Sequence, residues 1–408
     1  MGFSSTDDFV SEVTTNGKFW RADFNKIYTG GTVVAGRWYD LTYFGGVPPQ
    51  FVHGNYIKNG FFDGGAKDWT LSAGIVWTAA TSLVTKSGAS SETISQNTAC
   101  VNGTAYVVTY TIGSYAGSGN ITISLGGTNG TNRTANGTYT ETITCGATAN
   151  APLVVTVAST VSACTLDTIS VVQALAFTPY TDASENGLWH AGNVSSDTKH
   201  LINYGAWTNA AVGAPSVLML VDLLGVYPRI ATNSASSQTL NNTQTLPRYT
   251  TGAGVRAFYS IDVSNGANAQ NFSMVYTNQE STGSRTLGAV VANTASAVQG
   301  HISHSGVAAG NYGPFLPLSS PDTGVKSVQS VQFSAASASA GLVNLVLCKP
   351  IASIPITTGF VAAERDLMNQ LPSLPKIEDG ACLAFIVFYG AVATSGTAHQ
   401  GYLDIAWG

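Results

Sequence analysis

The chain has 408 residues, of which 44% are hydrophobic and only 10% charged, with a formal net charge of −5. That is length and apolar content enough for two or three cored domains, and 16 Phe, 17 Tyr and 7 Trp exclude a disordered chain, which would be poor in aromatics and rich in charge. No basic tract offers a footprint for nucleic acid or an anionic membrane, and no apolar run reaches the roughly 18 residues of a spanning helix.

The start, Met1-Gly2-Phe3-Ser4-Ser5-Thr6, lacks the basic and apolar regions of a secretion signal. Residues 7–13 predict a short helix capped by Ser5 or Thr6, with Asp7 and Asp8 in its first turn. Residues 32–34 and 37–43 have the β-branched and aromatic bias of strands, and Gly45-Gly46-Val47-Pro48-Pro49 stops them. Strands are then predicted over 73–79, 105–112, 121–125, 138–144, 153–158 and 166–172. Within them Tyr106, Val108, Tyr110 and Ile112 alternate with Val107, Thr109 and Thr111, which gives one face to the core. Turn formers such as Gly126-Gly127-Thr128-Asn129-Gly130 separate these runs, so a two-sheet sandwich is expected.

Beyond Pro179, strand-length apolar runs recur at 217–221, 255–261, 272–276, 287–292, 342–348, 383–389 and 402–407. The runs 217–221 and 383–389 are apolar on both faces, as central strands or a subunit interface would be. One helix is predicted, over 362–370, stopped by Pro372. The small-residue stretch 334–340 is expected as an exposed turn or strand. Cys100, Cys145, Cys164, Cys348 and Cys382 have no metal-ligand spacing and are expected as reduced, buried thiols, one bridge among the first three being the alternative.

Chemistry-bearing motifs are scarce. His301 and His304 would point to opposite faces of a strand with no acid nearby, so a hydrogen-bonded loop is expected rather than a metal or catalytic site. Glu378-Asp379-Gly380 reads as a turn. No nucleophile elbow, phosphate loop or zinc motif occurs, so no catalytic residue is assigned and an enzyme is not expected.

The segment Asn59-Gly60-Phe61-Phe62-Asp63 with Trp69, and the closing Leu166-Asp167-Thr168-Ile169-Ser170-Val171, resemble the two ends of carbohydrate-binding-module jelly rolls. The resemblance implies that the opening aromatic and the Trp pack in the core. It also implies a structural calcium held by Asp63 and Asp167, with Leu166 standing where the family usually has a second acid. A sugar platform in such a module needs exposed aromatic rings, for which Tyr115 and then Trp77 are the candidates.

The runs 218–230 and 246–249 and the ending Gly401-Tyr402-Leu403-Asp404-Ile405-Ala406-Trp407-Gly408 resemble virion structural proteins of tailed bacteriophages, of the capsid-decoration type. That implies the outer surface of a capsid, the major capsid protein as partner, and self-association as a homotrimer. Arg37, Trp38 and Tyr39, and residues 385–389, are the expected contact regions. The expected architecture is all-β: a discontinuous host of 1–54 and 177–408, with room for two subdomains and few short helices, and a jelly-roll sandwich inserted at 55–176. A tail protein that binds host glycan, and a glycan-active enzyme with an accessory module, are the alternatives.

Overall fold

The computed structural model of the chain describes residues 2–63, 65–79, 81–181, 187–194, 196–266, 268, 270–295, 298–305, 313–370 and 373–408. It is nearly all antiparallel β-structure, with short helical turns. The chain divides into two compact units, Phe51–Ala174 and the pair Met1–Gln50 with Leu175–Gly408.

Phe51–Ala174 is a sandwich of two five-stranded sheets. One runs, in spatial order, Thr128–Asn129, Ile121–Leu125, Leu153–Val157, Glu92–Gln96 and Thr70–Leu71. The other runs Gly137–Thr144, Ala105–Gly117, Val161–Val172, Leu83–Ser87 and Ile75–Thr78. Alternation decides which side chains enter the core: Tyr106, Val108, Tyr110 and Ile112 are buried, facing Ile94, Ile123, Leu153 and Val155 from the other sheet. Phe62 and Trp69 pack at 5.3 Å between ring centroids inside this core. Gly60 lies so close to the closing strand that a Cβ there would stand 1.9 Å from the Ile169 carbonyl oxygen. The same approach lets the Ile169 N–H donate to the Gly60 carbonyl at 2.9 Å.

The second unit is built on a six-stranded sheet with two unusually long members, Ser216–Ala231 and Leu342–Ile356. Strands Cys382–Tyr389 and Arg37–Asp40 extend that sheet on one side and Arg256–Val263 on the other. Three register shifts along the long pair raise its twist and curve it. The first half of the pair, with Leu218, Leu220, Ile354 and Ile356, packs on a sheet ordered Ala363–Asp366, Lys199–Thr208, Ala398–Trp407, Phe19–Ile27 and Gly45–Val47. The second half, with Leu224, Tyr227, Leu345 and Leu347, packs on a sheet centred on Gln270–Asn278 and Val325–Phe333. One sheet therefore closes two cores.

Its edges are also joined. The Asp40 N–H donates to the Gly300 carbonyl at 2.8 Å and the Ile302 N–H to the Trp38 carbonyl at 3.0 Å. From the opposite edge the Ile261 N–H donates to the His301 carbonyl at 2.9 Å, and the Gly300 N–H to Ile261 at 2.8 Å. Gly300-His301-Ile302 thus bridges the two edge strands and turns this part of the sheet into a closed barrel, which leaves no unpaired edge there.

Several expectations need correction. The helix expected over 362–370 is helical only in Leu367–Gln370; Ala363–Asp366 is an edge strand on Lys199–Thr208. Glu364 holds that register by accepting from Asn203 Nδ2 at 2.6 Å and the Tyr402 hydroxyl at 3.0 Å. At the N-terminus Ser5 caps Thr6–Val10, but the next turn, Ser11–Thr15, is a π-helix. The expected contact residues Tyr39, Phe385 and Tyr389 are core residues, because Arg37–Asp40 pairs with Cys382–Tyr389 inside the sheet. Of that set Arg37, Trp38 and Phe388 are only half-buried. All five cysteines are free and buried.

Candidate functional sites

His301 and His304 sit on the segment that bridges the barrel's edges. The His301 ring lies 5.2 Å from Tyr39 and the His304 ring 4.8 Å from Tyr259, centroid to centroid. Both imidazoles are buried, and none of their four ring nitrogens has a hydrogen-bond partner among the described residues. The backbone of the segment is the expected hydrogen-bonded loop, while the two rings are held by packing against tyrosines. Burial pushes both pKa values down to about 3, with Arg37 and His304 adding repulsion at His301. The rings are neutral over the ordinary histidine range.

A second polar cluster lies on the strand Lys199–Thr208. Lys199 Nζ, fully buried, reaches His190 Nδ1 at 2.9 Å and the Asp379 carboxylate at 3.1 Å, and donates to the Gly192 carbonyl. Burial lowers the Lys199 pKa; burial and then the Lys199 charge lower that of His190 to about 4. The cluster ties segment 188–194 and the turn at Glu378-Asp379-Gly380 to one strand. Reading the sequence missed it, since a lysine opening an apolar run looks like a solvated strand end. Nearby, Arg248 forks onto the Asp222 carboxylate at 2.9 and 2.6 Å, and the Cys382 N–H donates to the same group at 2.9 Å. The Asp222 carboxylate is fully buried and that of Asp379 is 32% exposed, and both tie neighbouring segments to the strands.

In the inserted sandwich, Asp167 Oδ1 is buried without a partner among the described residues. Burial raises the Asp167 pKa, and the negative charge of Asp63 raises it further. Two carboxylates that feel one another, one with an orphaned oxygen, fit a hard cation taking oxygen ligands. They are a partial ligand set, because no group of three or more His, Cys, Asp or Glu gathers among the described residues. The remaining oxygens of a calcium shell would have to be carbonyls or water.

Tyr115 and Trp77, the candidate sugar platforms, are both half-buried against the module's core. The Tyr115 hydroxyl donates to the Gly119 carbonyl at 2.6 Å, and the Trp77 indole N–H to the Phe62 carbonyl at 3.0 Å. The structure does not bring the two rings into one exposed platform; each anchors its own strand end.

No family model matches the chain, and no curated protein matches it. Among solved structures the chain is similar to the infectious bursal disease virus VP2 subviral particle, at 10% identity over 97% of this chain and 85% of that one, with a TM-score of 0.17. It is also similar to a chain of Sulfolobus Turreted Icosahedral Virus, at 11% identity over 95% and 79% of the two chains, with a TM-score of 0.16. These weak neighbours come from virus particles. A likeness of that strength carries no argument for a fold or a function.

Proposed function

We propose that the protein is a structural component of a virion, and more narrowly a decoration protein on the outer surface of a bacteriophage capsid, bound to the major capsid protein and to copies of itself. The observation that carries this reading is how the inserted unit is built. Each unit completes its sheets with its own strands, and the inserted sandwich has its two ends together, Asn55 pairing with Val172 and accepting the Val171 N–H at 2.8 Å. A module with adjacent ends can be displayed from a surface loop without interrupting the host's core.

The host supplies attachment and rigidity in this reading. Its buried polar groups serve as braces, no reaction is assigned to them, and the protein is taken as a binder rather than an enzyme. The carboxylates of Asp63 and Asp167 would hold a calcium ion that stiffens the module. Tyr115 and Trp77 use their donors inside the sandwich, so glycan capture is not part of the proposed role.

Quantitative mass spectrometry of purified virions tests the reading. Copies comparable in number to the major capsid protein are expected. A handful of copies per particle would move the protein to the tail, and absence from particles would end the virion reading altogether.

A further inference from the structure

Four loops meet at one end of the sandwich formed by the first half of the long strand pair: 28–36, 209–215, 357–362 and 390–397. Strand register brings them there, since Ile27 faces Ala398, Thr208 faces His399, Ser216 faces both Ile356 and Tyr389, and Arg37 faces Tyr389. They touch in a row. The Phe360 N–H donates to the Thr208 carbonyl at 2.9 Å, and Asn209 Nδ2 to the Gly396 carbonyl at 3.2 Å. The Gly390 N–H donates to Pro215 at 2.8 Å and the Val33 N–H to Ala393 at 3.0 Å.

No Asp, Glu, Lys, Arg or His occurs in any of the four. Large apolar side chains nevertheless stand out from them: Phe360 is 71% exposed and Val361 58%, and Val34, Val212 and Val392 are exposed as well. Single exposed valines need no explanation, but five exposed apolar side chains on four adjoining loops without a charge mark an interaction surface. Because neighbouring loops already engage the backbone amides named above, the surface offers side chains rather than a strand edge to be extended.

We propose that this charge-free end is a self-association surface whose occupant is the same end of a second copy of the chain. The inference rests on, and deepens, the self-association in the proposed function. A chain with net charge −5 repels its own copies wherever acidic surfaces approach. Two copies avoid that repulsion by meeting where neither carries a charge, and an uncharged apolar face complements itself, as a twofold contact requires. A nucleic acid or a strongly charged protein finds no counter-charge here. A bilayer surface is usually gripped by Lys and Arg beside inserted aromatic rings; Phe360 alone could insert here, no Lys, Arg or Trp accompanies it, and the one tyrosine, Tyr28, is buried. Five side chains make a face smaller than the roughly 800 Å² per partner of a standard stable interface, so association rises with concentration.

Sedimentation velocity of the full chain, from micromolar to hundreds of micromolar, tests this. Larger species are expected to grow with concentration and to persist in about 1 M sodium chloride, where charges are screened within roughly 3 Å. Phe360→Asp with Val361→Asp should leave a monomer at every concentration, with an unchanged circular dichroism spectrum and melting temperature. Val101→Asp, at an exposed valine of the other unit, should associate like the parent. A parent that stays monomeric throughout overturns the proposal, as does association that survives the double substitution or disappears in high salt. Flotation of a monomeric parent with phosphatidylcholine vesicles, abolished by the double substitution, would give the surface to lipid instead. If the protein is abundant in virions yet the double variant associates normally, only this inference fails and the virion reading stands.

Discussion

The inserted sandwich and the host unit are both antiparallel β-structure, yet they bury different things. Phe51–Ala174 alternates along most of its strands, though residues 169–172 are buried in succession, and its apolar core is crossed by few polar side chains such as Lys86, Glu92 and His53. The host buries His190, His301, His304 and His399, the Lys199 amine and the Arg248–Asp222 pair. Both units bury ionisable groups, but the host buries more of them, four imidazoles against the one of His53 in the module. They should therefore fail under different stresses.

Acid should separate them most. Burial depresses His301 and His304 to about 3 and His190 and His399 to about 4, all below their ordinary 6.5. Groups depressed in the folded state contribute stability above their unfolded pKa and lose it as pH falls through about 6.5 toward the folded values, at roughly 1.4 kcal/mol per pKa unit. In the module, by contrast, Glu92 is held below the usual carboxylate range by its bonds to Ser72 and the Gly74 amide, so its contribution fades only at lower pH. Calorimetry between about pH 7 and about pH 5 should show the host transition falling by several kcal/mol while the module's barely moves. Parallel movement of both would contradict the comparison.

Removing one partner of a buried pair should come next. Arg248→Met leaves the Asp222 carboxylate uncompensated inside the host, at a cost of about 3–5 kcal/mol, read as a lower urea midpoint for the host alone. In the module, Gly60→Ala drives a methyl into the Ile169 carbonyl, and overpacking of that kind costs about 1–3 kcal/mol. Amide exchange should then quicken across 59–69 and 164–172 and nowhere in the host.

The smallest effect concerns calcium. Without a cation, the raised pKa of Asp167 gives the module stability that is complete below about 3.9 and lost as pH rises through the folded value. Calcium at ten times its dissociation constant should restore about 1.4 kcal/mol at neutral pH and remove that slope. Asp167→Asn should abolish the calcium response and raise the melting temperature measured in chelator. An unaltered melting curve on adding calcium would exclude the cation.

The module was legible because its signals are local. Tyr106, Val108, Tyr110 and Ile112 announce their face by alternation, and Phe62 and Trp69 pack where the resemblance places them. The host was legible only in part: the runs 217–221, 255–261, 272–276, 342–348, 383–389 and 402–407 fall on strands, but Phe19–Ile27, Lys199–Thr208 and Val325–Phe333 were not anticipated, and the run 287–292 is a strand only from Val291. Its closure was hidden as well, because nothing near His301 in the sequence reveals that its ring will stack on Tyr39. The stretch 362–370 was misread for the same reason: Glu364 and Arg365 suit a helix by propensity, but pairing with Lys199–Thr208 overrides it. Arg37, Trp38 and Tyr39 looked like contact residues since an aromatic strand beside a glycine turn is ambiguous between edge and centre, and the Gly300–Ile302 bridge that covers it comes from far along the chain.

The paired strands Ser216–Ala231 and Leu342–Ile356 act as a beam with a chamber on either half. Neither chamber can empty without stripping one length of a beam the other still needs, so the host is expected to melt as one unit despite its two cores. Its last amides to exchange should lie along that beam, between Leu220 and Tyr227, where every residue is buried. A pull applied at the four uncharged loops would enter the beam at Ser216 and Ile356 and run its whole length, so strain taken up at one end of the host would be carried by both halves.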